Sequence, residues 1–226
     1  MVRVDWLWRG FLWTWEEPSP YPLPEYRERG KRETEEGEMG TTMSTLADIL
    51  EHNKAFVAKG EYQQYSTDQF PNKKFVVVTC MDTRLVELLP AAMNLRQGDA
   101  KVLKTAGAVV THPFGSIMRS ILVAVYSLGA EEIAVVGHHD CGMTGLSCAT
   151  ILEKARGRGI SEDTIATIRH AGVDLEQWLK GFENVADGVR QSVAVIRNHP
   201  LLPKDVKVHG LLISPKTGEL EVVEQG

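Results

Sequence analysis

The stretch "VVGHHDCGM", residues 135–143, places two histidines, an aspartate and a cysteine directly behind an apolar run. The run from Ile133 to Val136 has the composition of a strand that is buried on both faces. A second stretch, "VVVTCMDTRL" at residues 76–85, has the same arrangement, an apolar strand followed by a cysteine, an aspartate and an arginine. Ligand-type side chains therefore follow two separate strands, and this placement decides the expected fold.

Strand and helix patterns alternate from Thr42 to the end of the sequence. Short apolar runs predict strands at residues 74–80, 100–105, 131–139, 206–214 and 219–224. Helical periodicity predicts helices at residues 42–60, 85–95, 115–129, 146–156 and 174–198. The alternation predicts an α/β fold with a mostly parallel central sheet flanked by helices. In such sheets, functional sites form at the carboxyl ends of the strands.

The composition is that of a globular protein, with 43% hydrophobic and 24% charged residues among 226. This length accommodates one domain and an appendage. The net charge of −5 argues against a basic nucleic-acid surface, and no apolar run reaches the roughly 20 residues of a membrane span. An odd number of cysteines, three, makes a disulfide framework unexpected, so we expect free thiols and a cytoplasmic location.

Residues 1–42 differ from the rest, because they are rich first in tryptophan, then in proline, then in charge, without a sustained period. Charged residues interrupt the apolar part, so the segment lacks the pattern of a signal peptide. We expect an irregular, disordered extension, with Met43 as an alternative start. The second interpretation is an aromatic stretch that docks on a partner or a membrane surface. Residues 43–226 are the predicted domain.

Cys80, His138 and Cys141 are candidate metal ligands. Cys80 ends the first predicted strand, and the H-x-x-C spacing lets His138 and Cys141 turn toward one point. Two thiolates and one imidazole suit Zn²⁺, and three protein ligands leave a fourth position for water. A cysteine alone is more often a small buried hydrophobe, but two ligand-rich strand ends at one sheet edge favour the metal.

Asp82 and Arg84 are candidate catalytic residues. In an extended chain, the C-x-D-x-R spacing points them to the same side as Cys80. Asp82 can bind the metal itself or accept a proton from water at the metal. Arg84 can hold Asp82 in a forked ion pair and keep it ionised. The alternative is a surface ion pair that contributes little.

Four residues close to these motifs receive other interpretations. Asp140 fixes the loop between the ligands, and Gly142 permits a positive φ or a close backbone approach. Cys148 is a core residue. His139 titrates near neutrality, but a solvent-facing histidine explains it equally well, so we assign no proton shuttle.

The motifs "CMDTR" and "GHHDCGM" in combination resemble those of the β-class carbonic anhydrases, in the small prokaryotic-type branch, over about residues 43–226. The resemblance implies one Zn²⁺ per subunit, held by Cys80, His138 and Cys141, with the aspartate and arginine of the first motif as a dyad. It also implies an N-terminal helix that packs on a partner subunit, in a homodimer or dimer of dimers whose cleft both subunits line. The implied reaction is reversible hydration of CO₂ to bicarbonate and a proton.

Residues 103–110, "LKTAGAVV", depart from the family, which commonly has an Arg-Asn pair where this sequence has Lys104 and Thr105. Family members that bicarbonate regulates at a non-catalytic site use that arginine. The resemblance therefore gives no reason to expect such regulation here.

Two alternatives to CO₂ hydration stay open. The first is hydrolysis of COS or CS₂, linear molecules that the same fold and metal set can support. The second is a zinc-stabilised structural or binding protein, in which Cys148 completes a closed site of four ligands. The aspartate–arginine pair argues against this second alternative, because a closed structural site needs neither residue.

Overall fold

The structure is a computed structural model that describes residues 44–226, so the interpretations of residues 1–42 lie outside the described residues. The chain divides between Lys54 and Ala55 into two units, and the described residues of the first unit are 44–54. The sheet and the candidate ligands belong to the second unit.

The first described helix, α1 (Thr45–Ala58), lies within the first predicted helical segment. The hydroxyl of Ser44 accepts a hydrogen bond from the main-chain N–H of Ala47 at 3.3 Å, which satisfies one free donor of the first turn. None of the side chains of α1 is buried.

Within the described part of the chain, one sheet contains five strands in the order β2-β1-β3-β4-β5. These strands are β1 (Phe75–Cys80), β2 (Ala100–Thr105), β3 (Glu132–His138), β4 (Lys207–Ile213) and β5 (Leu220–Glu224). Neighbours among β1 to β4 are parallel, and β5 runs antiparallel to β4. The predicted α/β class with a mostly parallel central sheet is confirmed.

The helices of the second unit alternate with the strands until β3 and then follow one another. They are α2 (Leu85–Ala92), α3 (Ser116–Leu128), α4 (Cys148–Gly157), α5 (Glu162–His170), α6 (Leu175–Leu179) and α7 (Val185–Arg197). No helix of residues 44–226 combines the length and the apolar character that crossing a bilayer requires.

The prediction of one helix over residues 174–198 is wrong, because the chain leaves helical geometry between α6 and α7. Asn184 begins α7, where its side chain accepts hydrogen bonds from the main-chain N–H groups of Ala186 and Asp187. Helix α5, which Ser161 caps in the same way, was not predicted. Both differences lie after β3, where the sequence shows no strand to divide the helical pattern.

The central strands β1 and β3 are covered on both faces, as a parallel sheet requires. Alternate residues of β1 face opposite layers. Val76 and Val78 pack in the apolar cluster that contains buried apolar side chains of α3 and α7. Val77 packs in the cluster that contains Leu85 and Leu89 of α2. The sulfurs of the candidate ligands also belong to this second cluster, so the site lies on the α2 side of the sheet.

Candidate metal centre

The carboxyl ends of β1 and β3 bring the three candidate ligands together. The two strands are parallel neighbours with Thr79 opposite Val136, so Cys80 and His138 leave the same edge of the sheet. The ligand atoms of Cys80, His138 and Cys141 all lie within 4.8 Å of one another, and all three residues are buried. This group could therefore hold one metal ion.

A main-chain contact orients the ring of His138. Its Nδ1 lies 2.8 Å from the carbonyl oxygen of His139. Because a carbonyl only accepts, Nδ1 donates its proton there, and the lone pair of the neutral ring is on Nε2. This Nε2 is buried and has no hydrogen-bond partner among the described residues. A metal ion beside the two sulfurs would give the lone pair a partner, so the residues present fit a metal.

The two thiols lie in an apolar layer. Burial raises the pKa of the Cys141 thiol, the main-chain N–H of Met143 opposes that rise, and the neighbouring Cys80 sulfur adds to it. Cys80 accepts a hydrogen bond at its Sγ from the main-chain N–H of Gly107 at 3.3 Å. Metal coordination deprotonates a thiol, so a divalent cation is the partner that would stabilise both thiolates.

Asp82 and Arg84 form a forked ion pair beside the ligand group. The Oδ1 of Asp82 accepts a hydrogen bond from Nε of Arg84 at 3.0 Å, and Oδ2 accepts one from Nη2 at 2.8 Å. These bonds hold the pKa of the Asp82 carboxyl well below its usual range, although partial burial opposes them. Oδ2 lies 3.7 Å from Nε2 of His138. An ionised carboxylate therefore lies next to the open lone pair of the histidine.

The pair arises from a turn, so the extended geometry predicted for C-x-D-x-R is wrong. The main-chain N–H of Arg84 donates to Oδ1 of Asp82 at 2.9 Å, which closes an Asx turn at the start of α2. Among the described residues, the ligand group that lies within 4.8 Å does not include Asp82. In this arrangement Asp82 is held by the arginine beside the group and is not one of its members.

The loop between His138 and Cys141 takes its shape from Asp140, which has a φ of 56°. Its carbonyl oxygen accepts a hydrogen bond from Nη2 of Arg84 at 3.1 Å. Gly142 has neither of the features predicted for it: its φ is not positive, and an added Cβ would meet no atom within 4 Å. The left-handed residue is the aspartate, a residue type that tolerates this conformation.

Two other residues considered in the sequence lie outside the ligand group. Cys148 begins α4 and is buried in a separate apolar cluster of α4, α5 and α6. The half-buried His139 has its Nε2 at 3.4 Å from a carboxylate oxygen of Glu221. The structure thus brings together Cys80, His138 and Cys141, with Asp82 and Arg84 beside them.

Sequence reasoning did not single out three neighbours of the group: Gly107, Met143 and Phe182. Met143 and Phe182 pack on the apolar cluster that contains Cys80 and Cys141. The position of Met143, two residues after a candidate ligand, was the one available signal. Phe182 precedes α7, and no spacing or motif links it to the ligands.

Comparison with known proteins identifies the family. The model of the family described as carbonic anhydrase matches residues 75–220, which include both motifs. The protein named "Putative carbonic anhydrase YtiB" from Bacillus subtilis is 59% identical over 184 residues, 81% of this chain and 98% of its own length. A protein named carbon disulfide hydrolase from Acidithiobacillus thiooxidans is 31% identical over 159 residues, 66% of this chain and 76% of its own.

Solved structures agree with this assignment. The β-carbonic anhydrase isoform I of Trichomonas vaginalis has a TM-score of 0.75 and 34% identity, covering 81% of this chain and 100% of its own. The carbonic anhydrase of Streptococcus mutans has a TM-score of 0.61 and 29% identity, covering 80% and 99%. The resemblance predicted from the two motifs is confirmed, and the chain belongs to the β class of the carbonic anhydrase family.

Proposed function

We propose that this protein catalyses the reversible hydration of CO₂ to bicarbonate and a proton, with one zinc ion per subunit. The observation that carries the proposal is the buried group of two sulfurs and one imidazole nitrogen within 4.8 Å, beside an ionised aspartate–arginine pair. The name of the 59% identical Bacillus subtilis protein points to the same reaction.

Zinc is the metal that suits this donor set best. Soft thiolates and imidazole favour Zn²⁺ over the hard cations Mg²⁺ and Ca²⁺, which take oxygen ligands. Cys80, His138 and Cys141 would hold the ion, and three protein ligands leave one position open. When bound, the ion acts as a Lewis acid that lets a water molecule lose its proton near neutral pH.

Residues of the chain itself then orient the attacking water. The Asp82 carboxylate is ionised and can accept a hydrogen bond from the attacking water, which directs the remaining lone pair toward CO₂. Arg84 holds this carboxylate through two side-chain bonds and one main-chain bond. We therefore assign Asp82 as the residue that orients the water and Arg84 as the residue that positions Asp82.

Hydrolysis of CS₂ or COS is the second candidate function. The 31% identical relative from Acidithiobacillus thiooxidans is a carbon disulfide hydrolase by name. These molecules are linear and have an electrophilic carbon, as CO₂ has, so the same ligand group can serve either reaction. The higher identity to the proteins named as carbonic anhydrases favours CO₂ as the substrate.

A purely structural zinc site has less support. A closed site needs a fourth protein ligand, and the candidate for it, Cys148, packs with Leu152, Ile165 and Leu175 in another cluster. The three-residue ligand group next to Asp82 matches the open arrangement of a catalytic site better.

We further propose that residues 43–226 form the catalytic domain of a cytoplasmic homodimer or dimer of dimers. Three free cysteines fit a reducing compartment. Leu46, Ile49 and Leu50 of α1 are exposed, and an exposed apolar helix face favours a contact with a second copy of this chain.

One comparison of substrates tests the proposed function. CO₂ hydration, COS hydrolysis and CS₂ hydrolysis are measured side by side on purified, zinc-loaded protein, with Asp82→Asn as a control that leaves the three ligands in place. We expect rapid CO₂ hydration that the control variant largely loses. A protein that hydrolyses CS₂ but does not accelerate CO₂ hydration would replace the first proposal by the second.

A further inference from the structure

The Cys80 sulfur has a main-chain partner that the proposed mechanism does not use. The N–H of Gly107 donates to Sγ of Cys80 at 3.3 Å, and the contact is buried. Hydrogen bonds to an ionised acceptor are stronger than those between neutral groups, so this contact gains strength when the thiol becomes a thiolate.

The pairing of β1 with β2 and the turn after β2 place this N–H next to the sulfur. In the parallel ladder, Cys80 lies opposite Thr105 at the end of β2, and the carbonyl of Thr105 accepts a hydrogen bond from Met81 at 2.8 Å. The chain then turns through a short 3-10 segment, in which Gly107 has φ 72° and ψ 13° and Ala108 has φ 59°. This turn places the main-chain N–H of Gly107 against the Cys80 sulfur.

Packing fixes the position of the turn. A Cβ added at Gly107 would lie 2.9 Å from Cγ of Met143 and 2.9 Å from Cε1 of Phe182. Such distances are shorter than side chains tolerate, so any side chain at 107 displaces the turn or the two apolar groups. Met143 lies two residues after Cys141, so the same contact links the turn to the second sulfur ligand.

We propose that Gly107 is a positioning residue of the metal centre, whose main-chain N–H orients the Cys80 thiolate and withdraws charge from it. The inference deepens the proposed function and rests on metal binding by the ligand group. Two thiolates bring two negative charges to a divalent ion and weaken its Lewis acidity. A fixed donor to one thiolate offsets part of that effect, as hydrogen bonds to metal-bound sulfur do in other centres.

Gly107→Ala tests the contact, with Gly129→Ala as the matched control. Both glycines have a φ of 72°, but a Cβ at Gly129 meets no atom within 4 Å. Both variants thus carry the same backbone strain, and only Gly107→Ala pushes the turn away from the sulfur. The readouts are the affinity for zinc in competition with a chelator and the sulfur-to-metal charge-transfer absorption of cobalt-substituted protein.

We expect about 10- to 100-fold weaker zinc binding in Gly107→Ala. We also expect its charge-transfer band at longer wavelength, because a thiolate without its hydrogen bond gives up electrons more easily. Gly129→Ala keeps the wild-type values. Adding Met143→Ala and Phe182→Ala to Gly107→Ala makes room for the new Cβ. This triple variant should regain most of the wild-type band, and the Met143→Ala/Phe182→Ala protein is its reference. Equal bands and affinities in Gly107→Ala and Gly129→Ala would overturn the inference.

A measurement on the unaltered protein covers the case in which Gly107→Ala fails to fold. In protein loaded with cadmium-113 and labelled with nitrogen-15, the amide proton of Gly107 should show scalar coupling to the metal through the Cys80 sulfur. A metal-loaded protein without that coupling would contradict the proposal. None of these three readouts involves CO₂, so a protein that shows the coupling and the band shift but no hydration refutes the proposed function alone.

Discussion

Arg84 determines where the Asp82 carboxylate lies. Its guanidinium contacts both carboxylate oxygens, and its Nη2 also donates to the carbonyl oxygen of Asp140 in the ligand loop. The arginine therefore connects the end of β1 to the loop after β3. At the scale of single residues, the proposed mechanism requires this connection, because it holds the carboxylate beside the ligand group, where it can orient water.

Arg84→Ala should reduce CO₂ hydration strongly at every pH between about 7 and 8.5, with full zinc content. The arginine lowers the pKa of Asp82, so its loss lets that pKa rise only toward the usual value of about 3.9. Asp82 thus stays ionised in the variant, and the defect is one of position, which a higher pH does not repair. Stopped-flow hydration and metal analysis across this range check the result. Wild-type kinetics in the variant would make the pair an ordinary surface ion pair.

Cys148→Ala tests whether Cys148 is a fourth ligand of the metal. The thiol is 2% exposed and packs with apolar side chains of α4, α5 and α6. We expect stoichiometric zinc, most of the activity and a loss of about 1 kcal/mol in the free energy of unfolding. Urea unfolding and zinc analysis measure both quantities. Loss of zinc from this variant would favour a closed structural site.

Sequence alone indicated the candidate site more completely than its surroundings. Cys80 and His138 could be placed at one edge because parallel strands end together. The turn that pairs Asp82 with Arg84 was missed, because its closing bond runs from a main-chain N–H to a carboxylate. Gly107 was missed because the contacts that leave no room for a side chain there involve Met143 and Phe182, which are distant in sequence.

At the scale of elements, the strands and the helix α4 were predictable, whereas α5 and the division between α6 and α7 were not. The short apolar runs of β1 and β3 are typical of strands that are buried on both faces of a parallel sheet. Between α6 and α7, Gly181 lies so close to the carbonyl oxygen of Met143 that no Cβ fits there, and this contact is distant in sequence. Periodicity within one segment carries no information about such a contact.

Gly137→Ala should disturb the packing of β3 on α7 and, through it, the adjacent His138. An added Cβ would lie 2.7 Å from Cγ2 of Val189 and 3.1 Å from Cδ2 of Leu212. Overpacking of this kind costs about 1–3 kcal/mol, and we expect reduced zinc occupancy as well. Urea unfolding and metal analysis give the two values.

Gly157→Ala is the control for this substitution. It lies in α4, where an added Cβ meets no atom within 4 Å. Alanine favours a helix over glycine by up to about 1 kcal/mol, so this variant should be as stable as the wild type or more so. A Gly137→Ala protein with wild-type stability and zinc content would show that β3 and α7 are not closely packed.

At the scale of the whole molecule, helix α1 is the element through which the proposed assembly can be tested. None of the side chains of α1 is buried, and its apolar residues Leu46, Ile49 and Leu50 are exposed. In proteins, most of the stability of a helix comes from packing of its apolar face. A second copy of the chain is the partner that the proposed homodimer offers it.

Deleting residues 1–42 should leave assembly and CO₂ hydration intact, because that segment has no core-forming pattern. Deleting residues 1–60, which removes α1 as well, should abolish both. Light scattering and hydration assays on the two truncated proteins check the prediction, with the shorter deletion as the control for the longer one. A fully active monomer after the longer deletion would refute the proposed role of α1.

The most direct test of the central claim is zinc content measured together with CO₂ hydration in single-ligand variants. Cys80→Ser, His138→Ala and Cys141→Ser each remove one of the three buried candidate ligand atoms. The account predicts about one zinc ion per chain and rapid hydration in the wild type, with both lost in every variant. Full zinc occupancy in any of the three variants, or a fully zinc-loaded wild type that does not accelerate hydration, would contradict it.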